Sequence, residues 1–208
     1  MEYGPSDTNS EGGETIPSAP TSVKLIVAGG FGVGKTTFVG SVSDIKPLRT
    51  EAAITDQSFG IDDTSLVKDK TTTTVAMDFG RIGINDDLVL YLFGTPGQDR
   101  FGFMWDDLVE GALGAVVLVD TRRLDDCYYA VDYFEKLGIP FVVAMNVFDM
   151  AHNPPVDTVR YALDVPDGVP LMWCDARDRS SVKDVLLKLF DHVITTLQGE
   201  KAGSASAS

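Results

Sequence analysis

The chain has 208 residues, 44% of them hydrophobic, and a formal net charge of −14 at pH 7. That length and apolar content suit one well-buried domain, and the acidic surface excludes nucleic acid as a partner because its phosphates would be repelled. No run approaches the ~18 consecutive apolar residues of a membrane span, and the N-terminus has neither a basic-then-apolar secretory pattern nor a lipidation signal. The expectation is therefore a cytoplasmic protein without direct membrane insertion.

Residues 1–22 carry Glu2, Asp7, Glu11 and Glu14 but no Lys or Arg, among Ser, Thr, Gly and Pro. Such a mixture cannot bury enough apolar surface to order itself. The same reading applies to 199–208, so 23–198 is the expected domain, between a disordered acidic arm and a disordered tail. Val23 to Ala28 is an apolar run of strand length, and Gly29-Gly30-Phe31-Gly32-Val33-Gly34-Lys35-Thr36 follows it directly. Two glycines five apart, then Lys-Thr, at a strand-to-helix junction form a phosphate-binding loop. Its glycines let successive N–H groups converge on a polyphosphate, and the helix start adds a positive field. Lys35 supplies a point charge for the outer phosphates, and the Thr36 hydroxyl suits magnesium.

Residues 44–73 form a Thr- and Asp-rich connector of weak periodicity, expected to be either a functional loop or disordered. Val75 to Ile84, the acidic Asn85-Asp86-Asp87 and Leu88 to Phe93 read as two strands joined by a tight turn. Further strand-length runs occur at Ala115 to Val119, Phe141 to Met145 and Val169 to Trp173, with helical patterns between most of them. The last helix carries Val182, Val185, Leu186, Leu189, Phe190, Val193, Ile194 and Leu197 on one stripe behind a Ser180-Ser181 cap. The fold class is α/β: a P-loop NTPase with a mostly parallel six-stranded sheet, one antiparallel hairpin strand and helices on both faces. Cys127 and Cys174 read as free thiols.

Several segments, taken in order, resemble the Ras-like small GTPases over about residues 23–197. They are the phosphate loop, Thr74 to Phe79, Thr95-Pro96-Gly97-Gln98-Asp99-Arg100-Phe101, Gly111 to Gly114 leading into a strand that ends at Asp120, Asn146-Val147-Phe148-Asp149, and Cys174-Asp175-Ala176-Arg177. Within that superfamily the chain is most similar to the bacterial conservon-type GTPases, through Lys70 to Thr74 and the Cys-Asp-Ala-Arg segment.

The resemblance implies that Gly29, Gly32, Val33, Gly34, Lys35, Thr36 and Thr37 hold the phosphates of GTP or GDP, with Thr36 and Thr74 on Mg²⁺. Thr72 and Thr73 are alternatives to Thr74, since the four-threonine run leaves the register open. Thr74 and Gly97 would contact the γ-phosphate, whose loss releases both loops. Gln98 would orient the attacking water. Asn146 and Asp149 would read guanine, and Ala176 would offer its N–H to the guanine carbonyl. A protein effector or regulator, of the Roadblock type, is implied at the switch loops, with a sensor-kinase-like membrane protein as its neighbour.

Three positions depart from the family pattern. Gly94 stands where an aspartate would hold magnesium through water, with Asp120 the nearby candidate substitute. Phe31 either crowds an incoming arginine or packs as a lid, and Val147 replaces the lysine of the guanine motif. The aromatics Phe101, Phe103 and Trp105 either anchor a partner or dock on the core. The sequence reads as a guanine-nucleotide switch with slow GTP hydrolysis. The alternative is a pseudo-GTPase scaffold, and a third reading is an ATP-using enzyme.

Overall fold

The computed structural model describes residues 19–46, 48–54, 73–97, 99–149, 151 and 153–206. Seven strands form one sheet in the order β2-β3-β4-β1-β5-β6-β7. They are β1 (Thr21–Ala28), β2 (Leu48–Ile54), β3 (Thr73–Asn85), β4 (Leu88–Gly94), β5 (Gly114–Val119), β6 (Phe141–Asn146) and β7 (Leu171–Cys174). The β4–β1–β5–β6–β7 pairs are parallel, and β3 runs antiparallel to both of its neighbours. The expected architecture is present with one strand more than the expected six. That strand is β2, inside the connector read as loop: its pairing with β3 supplies the order that its weak periodicity did not signal.

β5 and β6 are buried along their whole length, as strands covered on both faces must be. On one face α1 (Lys35–Val42) and α5 (Arg179–Ser206) close a core around Leu25, Val27, Phe38, Leu92 and Leu189. On the other, α2 (Trp105–Val109), α3 (Tyr128–Leu137) and α4 (Val156–Ala162) cover Ile26, Val117, Phe134 and Met145. α1 lies hard against β3, since a Cβ added at Gly80 would fall 2.6 Å from Val39 Cγ1. This contact sets where the first turn of α1 meets the sheet.

The cap of α5 differs from the expected Ser180-Ser181. Asp178 accepts the N–H groups of Ser180 and Ser181 at 3.2 and 3.1 Å, the geometry of an aspartate N-cap. Val182, Val185, Leu186, Leu189 and Val193 are buried, but Ile194 and Leu197 are exposed because the helix outruns the sheet. α5 is continuous through Gly199 to Ser206, and β1 starts at Thr21, two residues before the expected boundary at 23.

Candidate nucleotide-binding site

The turn from β1 into α1 has the backbone of a phosphate loop. Gly29, Gly32 and Gly34 take φ of 131°, 73° and 108°, values that side chains disfavour. Lys35 is 8% exposed, and its Nζ donates to the Gly29 and Gly30 carbonyls at 2.8 and 2.7 Å. Burial lowers its pKa to about 8, against the opposing pull of the Asp78 carboxylate. An ammonium has three donors, so one remains to be directed at a ligand. Gly97 closes on the same spot: a Cβ there would lie 2.6 Å from Lys35 Nζ and 2.9 Å from the Gly30 oxygen and Phe31 Cα.

From outside, the turn after β5 grips the loop. Arg123 Nη2 donates to the Phe31 carbonyl at 2.8 Å, and a Cβ at Gly30 would fall 2.7 Å from Asp126 Cβ. Phe31 is 66% exposed, which fits a side chain standing in solvent better than a lid. Thr36 Oγ1 donates to Asp78 Oδ2 at 2.6 Å, and Asp78 is the direct β3 partner of Gly94. Asp120 is committed elsewhere. Arg122 donates to its two oxygens at 2.8 and 2.7 Å, and these bonds hold its carboxyl below the usual range.

At the opposite end Asn146 ties three segments together. Its Nδ2 donates to the Val33 carbonyl at 2.8 Å, and its Oδ1 accepts the Ala176 N–H at 3.0 Å. The Ala176 amide expected to face guanine is thus already donated. Arg177 Nη1 donates to both oxygens of Asp149 at 2.9 and 3.0 Å, while its Nε and Nη2 each donate to Asp175 at 2.9 Å. The Asp149 side chain is 81% exposed, so its main partner is this guanidinium and not a buried pocket. Arg122 lies over the Phe148 ring at 3.8 Å, supplying a cation where Val147 supplies none.

Residues 27–196 match the model of a family described as "Conserved hypothetical ATP binding protein". The chain belongs to this family. It is 30% identical over 130 residues to the uncharacterized protein MJ1339 of Methanocaldococcus jannaschii, covering 62% of this chain and 71% of that one. It is 22% identical over 189 residues to the Ras-related protein Rab-1C of Dictyostelium discoideum, covering 86% and 84%. The FeoB G-domain from Methanococcus jannaschii superposes with a TM-score of 0.55 at 17% identity, over 83% of this chain and 98% of that domain. The fold is that of a P-loop GTPase G domain.

The structure brings Gly29, Gly32, Val33, Gly34, Lys35, Thr36 and Gly97 to one end of the site, with Asn146 bridging to Ala176 and Asp149 beyond. Thr37 is exposed on α1, and Thr74 lies in β3 opposite Ala53. Gln98, Thr71 and Thr72 lie outside the described residues. Of the aromatic group, Trp105 is buried against Tyr133 and Phe134, whereas Phe103 is exposed. Sequence reasoning gave no role to Asp78, Arg123 or Arg177. A regular hairpin count from the turn at Asp86 sets Phe79 opposite Gly94; the register shift between Gly83 and Asn85 puts Asp78 there instead, so the sequence alone did not point to it.

Proposed function

We propose that the protein is a guanine-nucleotide switch that binds GTP or GDP with magnesium and hydrolyses GTP slowly. The observation that carries this reading is the approach of Gly97 to Lys35: a Cβ at 97 would lie 2.6 Å from Nζ, so the 95–97 segment meets the phosphate loop beside its ammonium. A γ-phosphate bound at that ammonium would contact the 95–97 segment, and a diphosphate would not. This ties the loop's position to the state of the nucleotide. Residues 44–74 and 95–106 would carry that change to a protein partner, of Roadblock type by the resemblance.

In this reading Lys35 and the amides of Gly29 to Thr37 hold the phosphates, and Gln98 positions the attacking water. Asp149 accepts the N–H groups of guanine in place of Arg177. Magnesium, when bound, supplies charge neutralisation at the outer phosphates. The donor chemistry fits it, because Thr36 presents a hard hydroxyl oxygen on the first turn of α1. Among the described residues there is no cluster of three His, Cys, Asp or Glu, and an ion that keeps waters and phosphate oxygens needs none.

The second reading is a pseudo-GTPase scaffold. It is favoured by the base end, where Asp149, Arg177, Asn146 and Ala176 satisfy one another. The deciding experiment denatures freshly purified protein and identifies the released nucleotide by ion-exchange chromatography. It then follows single-turnover hydrolysis of GTP. Stoichiometric GDP together with measurable turnover supports the switch. An empty protein without turnover supports the scaffold, and release of ADP removes the guanine assignment.

A further inference from the structure

The carboxylate that Gly94 lacks is present one strand away. Asp78 and Gly94 are direct partners in the antiparallel β3–β4 ladder, so their side-chain positions share a face and lie within roughly 5.5 Å of each other. A Cβ at Gly94 would fall 3.0 Å from Asp78 Cβ and 3.3 Å from Asp78 Oδ2. The Asp78 side chain therefore fills the space a residue at 94 would use. Its Oδ2 accepts the Thr36 hydroxyl at 2.6 Å, which sets the carboxylate beside the first turn of the phosphate-loop helix.

We propose that Asp78, acting from β3, is the carboxylate that holds the nucleotide's magnesium alongside Thr36, replacing the one absent from position 94 on β4. The proposal rests on the nucleotide-binding reading above. Two features make the exchange physically coherent. Gly94 suits it, because a second carboxylate there would add like-charge repulsion and crowd Asp78, whose Cβ would lie 3.0 Å away. The register shift between Gly83 and Asn85 is needed as well, because without it the ladder would set Phe79 opposite Gly94 and turn Asp78 to the other face. The competing carboxylates are occupied: Asp120 is bound by Arg122, and Asp126 pairs with Arg123 at 3.2 Å.

The test titrates the full chain with fluorescent N-methylanthraniloyl derivatives of GDP and ADP, in millimolar magnesium and in EDTA. Wild-type protein is expected to gain affinity from magnesium. Asp78→Asn should lose that gain by roughly 10- to 100-fold while keeping its affinity in EDTA. The exchange variant Asp78→Gly/Gly94→Asp should recover most of it, and this variant decides the matter if Asp78→Asn fails to fold. A wild-type magnesium gain in Asp78→Asn, or an exchange variant that binds nucleotide without any gain, overturns the assignment of Asp78 alone. Wild-type protein that binds neither derivative overturns the nucleotide-binding reading with it.

Discussion

The two ends of the site are held by opposite devices. At the phosphate end the polar groups converge on a place for a ligand: three glycines at positive φ, a buried ammonium with a donor to spare, and a hydroxyl bonded to a carboxylate. At the base end they are matched to one another, Asp149 with Arg177 and Asn146 with Ala176 and Val33. The first end is preorganised for an anion. The second must break internal bonds before it can read a base. Affinity should therefore come from phosphates, and base selectivity should be the more easily lost property.

The largest effect should follow Lys35→Ala, which removes the buried cation. Affinity for guanosine and adenosine diphosphates should fall together by about 100-fold or more in equilibrium titration. Unequal losses would break the comparison, because they would give the phosphate end a share in base choice. Next, Asp149→Asn should cut the ratio of guanine to adenine affinity by roughly 10²-fold, since a site built around an acceptor rejects what leaves it unpaired. An unchanged ratio would remove Asp149 from base reading.

A third test uses pH. With its pKa lowered to about 8 by burial, Lys35 loses its proton in the free protein above that value. A bound polyphosphate favours the charged form, so affinity should fall above pH 8 by up to about tenfold per unit. The unliganded fold should respond with the opposite sign. The unfolded chain keeps this proton up to about 10.5, so it binds more protons in that window and stability rises with pH. Lys35→Met should flatten both curves, as read by titration and by denaturant midpoints. The smallest effect is expected from Arg177→Ala. Freeing Asp149 from an exposed pair should raise guanine affinity only a few-fold and leave adenine affinity unchanged. A drop in guanine affinity would mean that Arg177 supports the base instead of competing with it.

Much of the fold was legible because strand-length apolar runs and the β1–α1 glycine pattern are local signals. β1, β4, β5 and β6 begin and end within about two residues of those runs. The rest depended on information that chain order does not carry. β2 becomes a strand through its partner, and Asp78 acquires its place through a ladder whose register turns on Ile84. Arg177 finds Asp149 across 28 positions. The α5 cap was misplaced by two residues because Asp178 and the serines behind it are all good cap formers. Gly94 and Val147 were legible as absences, but what stands in their stead, Asp78 beside Gly94 and Arg122 over Phe148, came only from three dimensions.

The grip of Arg123 and Asp126 on the phosphate loop also bears on how ligands come and go. A loop left free would surrender roughly 1–2 kcal/mol of conformational entropy per residue each time it closed on an anion. This one is held by Arg123 and Asp126 before any ligand arrives, so less ordering remains to slow capture. Nucleotides differing only in their base should then be taken up at similar rates, and the protein would tell them apart by how long each one stays.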